Sequence, residues 1–170
     1  MRRIVALLVL QLGCLVMAGQ RVSVVKHAHH DFDIDHPGKD SWRHRQAGAG
    51  EIVIASSRRL AKIREFAVES PPSVHRLLAE LGECDWALVE GFKRADLPKI
   101  EVWRAAVGKP VQYPDDPFIV AIATDSPQDL PQTTSLPVLD LGVPDAVAEF
   151  LLQSSARYEY VSREAAAHAR

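Results

Sequence analysis

Two short runs constrain this chain most: Trp86–Val89 (WALV), set between Asp85 and Glu90, and Phe118–Ala123 (FIVAIA), followed by Thr124 and Asp125. Each is wholly apolar and too short for a core helix, and neither alternates, so neither has a polar face to show water. Such runs suit strands buried on both faces, the condition of a parallel sheet covered by helices. Val138–Leu141 (VLDL) is a further candidate of that kind, and Lys99–Trp103 (KIEVW) alternates like a strand nearer an edge. Arg21–Val25 and Glu51–Ala55 are rich in β-formers, while Arg58–Phe66 reads equally as strand or helix. Between them lie helical signals. Asp40 or Ser41 can cap a short helix that stops at Gly48, Ser73 opens one through Leu81 behind Pro71-Pro72, and Pro144 starts one through Leu152. Strand and helix in alternation predict an α/β fold with helices on both faces of a mostly parallel sheet.

With 170 residues the chain has enough interior for one domain, expected over residues 21–153, with a polar tail over 154–170. Lys and Arg total 20 against 22 Asp and Glu, a formal net charge of -2. That balance argues against a coat for nucleic acid or for an anionic membrane, so any anion must be held by a local arrangement. Two cysteines, Cys14 and Cys84, fit no zinc spacing and suit a reducing compartment.

Residues 1–20 stand apart. Arg2 and Arg3 precede a mostly apolar run from Ile4 to Val16, then Met17, Ala18 and Gly19, the three parts of a secretory signal. The run is short for a membrane span, and the same residues serve equally as a buried strand or helix.

In a parallel sheet, ligands sit outside the carboxyl ends of the strands. Directly after the strand predicted at Arg21–Val25 come Lys26, His27, His29, His30, Asp31, Asp33, Asp35, His36, Lys39 and Asp40. In an extended chain Asp31, Asp33 and Asp35 share one face at intervals of about 6.5–7 Å. Carboxylates gathered so closely repel unless a cation sits among them, which suits a hard, oxygen-seeking ion such as Mg²⁺. The spacing is not that of a calcium loop, since His36 stands where a Gly is required and Trp42 where the bidentate Glu belongs. A solvated polar loop is the plain alternative. Pro37-Gly38 turns the chain into the capped helix, whose first amide groups together with Lys39 form a candidate anion cradle.

Glu90 follows a buried strand, the place where phosphate-handling α/β proteins hold Mg²⁺ or orient water. Gly91 lets the backbone turn past it, and Lys93 and Arg94 are candidates to meet a phosphate. A helix cap or a turn accounts for the same residues equally well.

Taken together, Lys26-His27-Ala28-His29-His30-Asp31-Phe32-Asp33-Ile34-Asp35, Pro37-Gly38-Lys39-Asp40-Ser41 and Ala47-Gly48-Ala49 resemble the molybdopterin-guanine dinucleotide biosynthesis adaptor family, MobB. Val89-Glu90-Gly91-Phe92-Lys93, Lys99-Ile100-Glu101 and Val120–Asp125 continue the resemblance in the same order. It implies a Rossmann-like P-loop fold that binds GTP, at most feeble GTPase activity, a homodimer, a cytoplasmic location, and work beside the guanylyltransferase that joins GMP to molybdopterin. It also implies that His29, His30, Asp31, Asp33, Asp35, Lys39, Asp40, Glu90, Gly91 and Lys93 line the nucleotide or pterin site, with Mg²⁺ expected at Asp33, Asp35 and Glu90 and no catalytic residue assigned.

One departure stands out. The family opens with a strand, Gly-x-x-x-x-Gly-Lys-Thr and a helix; no such motif occurs in this chain, and its first twenty residues hold no lysine. The amides and the lysine that grip β- and γ-phosphates therefore have no counterpart, and nucleotide binding is expected to be impaired. The head is read as a misread gene start in preference to a divergent start that lost nucleotide binding; export is the lesser reading. The competing function, from another class, is a divalent-metal phosphoester or nucleotide hydrolase using Asp31, Asp33 and Asp35, with His29 or His30 as base.

Overall fold

A sheet covered on both faces needs largely apolar strands, and among the described residues seven short strands form such a sheet while two more form a separate hairpin. In the computed structural model, residues 2–6, 10–28, 32–68 and 72–161 are described. The strands are β1 (Arg2–Ala6), β2 (Val22–Lys26), β3 (Glu51–Ala55), β4 (Leu60–Arg64), β5 (Trp86–Glu90), β6 (Lys99–Trp103), β7 (Ile119–Thr124), β8 (Val138–Asp140) and β9 (Glu159–Tyr160). The helices are α1 (Leu10–Met17), α2 (Asp40–Gln46), α3 (Val74–Ala79) and α4 (Pro144–Gln153). The chain divides into two units: residues 1–27 with 73–170, and residues 28–72.

The larger unit holds a sheet in the order β2-β5-β1-β6-β7-β8, every neighbouring pair parallel. Trp86, Ala87, Leu88 and Val89 are all buried, as are Ile119, Ala121, Ile122 and Ala123, so the two apolar runs are interior strands. One face of the sheet packs Val5, Trp86, Leu88, Ile100 and Ala121 against Leu15 of α1 and Val147 and Leu151 of α4. The other face packs Ile4, Val25, Ala87 and Val89 against Val74 and Leu78 of α3. The α/β expectation holds.

Three local readings change. Lys99–Trp103 is no edge strand, because β6 lies between β1 and β7. Its charges are absorbed there: Lys99 donates to Lys93 O and pairs with Asp116, and Glu101 accepts from the backbone of Gln112 and Tyr113. Arg58–Phe66 resolves as a strand, with Leu60–Arg64 pairing antiparallel to β3. The described part of the predicted tail is built in: Tyr158 is 1% exposed, and β9 pairs antiparallel with β1 through Arg2↔Tyr160 and Arg3↔Glu159. Since Arg3 also pairs with Trp86 and Ala6 with both Val89 and Lys99, β9 and β6 share the second edge of β1.

The head also has a definite place. β1 runs down the middle of the sheet, and α1 begins only three residues after it ends. The first strand and helix therefore fit within seventeen residues. Arg2 explains how a charged residue opens a buried strand: its guanidinium donates to the carbonyl oxygens of Leu78, Leu81 and Gly82 at 2.6–2.9 Å, satisfying the C-terminal end of α3.

The smaller unit is α2 with the β3–β4 hairpin. In-register pairs Ile52↔Ile63 and Ile54↔Ala61 share one face of it, while Val53 and Leu60 point to the other and stand 57% and 67% exposed.

Candidate functional site

In the larger unit, the parallel strands bring their carboxyl ends to one rim, which is where the backbone carries Lys26, Glu90, Thr124 and Asp140. Lys26 and Glu90 are register partners, and Lys26 Nζ lies 3.4 Å from Glu90 Oε1. With Lys26 67% and Glu90 28% exposed, that pair contributes about 0–1 kcal/mol and is easily exchanged.

The ladder continues one residue further, His27 N–H donating to Glu90 O at 2.9 Å. Gly91 then turns away with φ +92, in close contact with His27. The His27 ring meets the Phe92 ring edge-on, with centroids 5.0 Å apart. Lys93 N–H donates to Gly91 O at 3.0 Å, and the Lys93 side chain is exposed beyond the turn. Thr124 is fully buried, its Oγ1 accepting from Ser126 N–H, and Asp140 accepts from Gly142 N–H at 2.7 Å. These are turn-forming bonds. The first rim position, after β1, is where a phosphate loop would stand, and the sequence there contains no lysine.

In the smaller unit, the predicted acidic cluster is organised around a cation of the protein itself. Arg45, with its side chain 14% exposed, places Nη2 2.7 Å from Asp33 Oδ2 and Nη1 3.2 Å from Glu65 Oε1. Its Nε approaches Asp35 Oδ2 to 3.3 Å without the alignment of a hydrogen bond. Asp35, 5% exposed, also accepts from Ser41 Oγ at 2.8 Å and from His36 N–H at 3.0 Å. The hydrogen bond from Arg45, then that from the backbone of Asp35, holds the Asp33 carboxyl below the usual carboxylate range. Sequence reasoning picked out the carboxylates and missed the arginine; the signal was the Arg43-His44-Arg45 face of the helix that follows.

Lys39 occupies the N-cap position of α2 with no capping side-chain bond, in place of the Asp40 or Ser41 expected there, and Asp40 lies within the first turn, 3.8 Å from Arg43. Both are exposed. His29, His30 and Asp31 lie outside the described residues.

The acids expected to hold Mg²⁺ therefore each face a side-chain cation already: Arg45 for Asp33 and Asp35, Lys26 for Glu90. Among the described residues, no three His, Cys, Asp or Glu side chains are grouped as metal ligands. As arranged, this donor set does not fit a magnesium ion.

Comparison with known proteins agrees with the topology. The family described as "Molybdopterin guanine dinucleotide synthesis protein B" (MobB) matches residues 5–125. The match begins inside β1, so the first strand-helix unit falls within it. The molybdopterin-guanine dinucleotide biosynthesis adapter protein of Escherichia coli (strain K12) is 34% identical over 142 residues, covering 82% of this chain and 79% of the relative. Its counterpart from Haemophilus influenzae is 35% identical over 133 residues, covering 77% of this chain and 71% of the relative. A crystal structure of molybdopterin-guanine biosynthesis protein B superimposes with a TM-score of 0.62 at 25% identity, covering 89% of this chain and 97% of the other. The MobB homologue from Bacillus stearothermophilus gives a TM-score of 0.58 at 20% identity, covering 91% and 97%, a likeness of fold.

Proposed function

The chain belongs to the MobB family of molybdopterin guanine dinucleotide synthesis proteins, and from that premise we propose that it serves as an adaptor in the assembly of that cofactor. In this reading it binds a guanine nucleotide or the pterin and meets the guanylyltransferase that joins them, in the cytoplasm. The observation that carries the reading is the parallel sheet with the carboxyl ends of β2 and β5 side by side at Lys26 and Glu90, in a chain that the family matches over residues 5–125.

The chemistry favours a binding role over a catalytic one. The described rim side chains engage in ion pairs and turns; none forms the nucleophile-and-base pair that covalent catalysis needs. The competing metal-hydrolase reading asks Asp33 and Asp35 to hold a cation, which would have to displace Arg45. No step is therefore routed through a metal. A nucleotide held without a phosphate-loop lysine depends on contacts other than those to its β- and γ-phosphates, so this chain's affinity for GTP falls below that of a relative with the full motif.

The β3–β4 hairpin supports self-association. A two-stranded sheet with Val53 and Leu60 more than half exposed is marginal alone, and a second copy of the chain that covers those side chains makes a homodimer. Leu60→Lys is then expected to shift the light-scattering mass from twice the chain mass to the chain mass.

The main test is co-purification of the tagged full chain with the guanylyltransferase of the same cell. Retention of the enzyme is the expected result. A chain that folds, binds nucleotide and yet never retains the enzyme ends the adaptor reading.

A further inference from the structure

Three side chains that neither the rim nor the acidic cluster uses form a chain of hydrogen bonds in the larger unit. Asp96 Oδ1 lies 2.8 Å from His75 Nε2, and His75 Nδ1 lies 2.8 Å from the Tyr160 hydroxyl. The three come from separate places: His75 from α3, Asp96 from the segment between β5 and β6, and Tyr160 from β9. Tyr160 is in register with Arg2 at the amino end of β1, the end opposite the rim.

The two ends of this chain fix where its protons stand. An ionised carboxylate only accepts, so Nε2 carries the ring hydrogen and donates it to Asp96. In the neutral ring Nδ1 is then the lone-pair nitrogen, and the Tyr160 hydroxyl donates to it. The His75 side chain is 17% exposed and its ring lies parallel to that of Tyr160, with 7° between their planes. Carboxylate, imidazole and hydroxyl in this order are the arrangement by which a base draws the proton from an attacking oxygen. The carboxylate orients the ring and stabilises the imidazolium that forms.

The other two tyrosines of the chain give the contrast. Tyr158 is 1% exposed. Tyr113 is 7% exposed, and its hydroxyl donates to the carbonyl of Gln132, which is no base. Tyr160 alone of the three is only partly covered, and it alone donates to a group able to take its proton.

We propose that Tyr160 is a nucleophile that accepts the acyl group of an activated carboxylic ester, with His75 as general base and Asp96 as a positioning residue. The phenol oxygen bonds to the carbonyl carbon of the ester while its proton passes to His75 Nδ1. The bond from that carbon to the leaving group breaks, and the leaving group departs with the electron pair. His75 then gives its proton to the leaving group or to water, which restores the neutral ring and leaves Tyr160 as an acyl ester. General-base assistance of this kind contributes about 10²–10⁴-fold. Because the three residues stand off the Lys26–Glu90 rim, this chemistry is separate from the adaptor reading.

The test exposes the full chain to p-nitrophenyl acetate, quenches with acid and locates the acetyl groups by peptide mass spectrometry. The expected result is acetylation of Tyr160 at least about tenfold faster than of Tyr113 or Tyr158, and a loss of at least about tenfold at Tyr160 in His75→Gln. Asp96→Asn is expected to slow Tyr160 in the same way, and Asp96→Glu to restore part of the rate, a rescue that loss of a structural tie alone would not give. Circular dichroism checks that each variant folds. Should His75→Gln fail to fold, the Asp96 pair decides alone. Tyr160 left unlabelled in the folded parent, or labelled at an undiminished rate in the folded variants, overturns the proposal and leaves these bonds as a tie between β9 and α3.

Discussion

His27 and Gly91 are in such close contact that a Cβ added to Gly91 would lie 2.9 Å from His27 Cβ and 3.2 Å from His27 O. Gly91 also has φ +92, where an L side chain is strained. Gly91→Ala is therefore expected to cost about 1–3 kcal/mol from the backbone alone, with the steric overlap adding to it. Urea denaturation measures the loss. Because Glu90 is the preceding residue, relief of the clash also moves the carboxylate that faces Lys26. A variant as stable as the parent would show that the turn relaxes freely.

Arg45 serves Asp33, Asp35 and Glu65 at once, through three different nitrogens. A lysine has one ammonium and cannot meet three carboxylates with that fork, so Arg45→Lys and Arg45→Met should both loosen residues 32–66. The expected signature is faster amide exchange in α2 and in the hairpin, with exchange in β5 and β7 unchanged. Uniform exchange in both units would deny Arg45 its local role. Asp35→Asn should act in the same direction, since Asp35 is nearly buried and also receives Ser41.

Asp85 accepts from Arg21 three times, from its backbone N–H and from two guanidinium nitrogens, at 2.9–3.1 Å. These bonds lower its pKa from the usual 3.8 to about 2. A depressed carboxylate stabilises the fold at every pH above its unfolded value, and that stabilisation is lost as pH falls through the folded value. The difference between wild type and Asp85→Asn should therefore be constant above pH ~5, shrink between pH ~4 and ~2, and vanish below. Thermal melts across that range read it directly. A difference that persists undiminished down to pH ~2 would place the effect in packing instead.

How legible each element was depended on where its partners lie in the chain. WALV and the part of FIVAIA from Ile119 onward were readable because burial on both faces leaves little choice of residue type, while Phe118 lies outside β7 and is exposed. KIEVW misled because its charges find partners far along the chain: Asp116 for Lys99, and the backbone of residues 112 and 113 for Glu101. The head was open to two readings, a signal peptide and a buried strand or helix, for a similar reason. An apolar run behind two arginines is the pattern of a signal peptide, and only the fold shows Arg2 closing α3 and Ile4 and Val5 filling opposite faces of the sheet. In the candidate site, Glu90 and Gly91 were found from their position after a strand. The acids of the polar loop were found as residue types, while Arg45, which gathers Asp33 and Asp35, lies ten or more residues beyond them and shares no motif with them.

Arg2 offers the sharpest check that the first strand belongs to the folded body. Its side chain satisfies three carbonyl groups at the end of α3, a helix of only six residues with few intrahelical bonds of its own. Replacing it by methionine keeps the aliphatic stem and removes the donors, leaving those carbonyls to water. The expected cost is about 1–3 kcal/mol, the range for hydrogen bonds from a charged group. Amide exchange should quicken in α3 first, and Leu78, fully buried beneath it, should then lose its packing against Val25 and Val89. A chain lacking residues 1–6 should lose the whole larger sheet cooperatively, because β5, β6 and β9 all pair with β1. If that truncated chain keeps the near-ultraviolet signal of Trp86, then β1 is an accessory to the fold and not its centre.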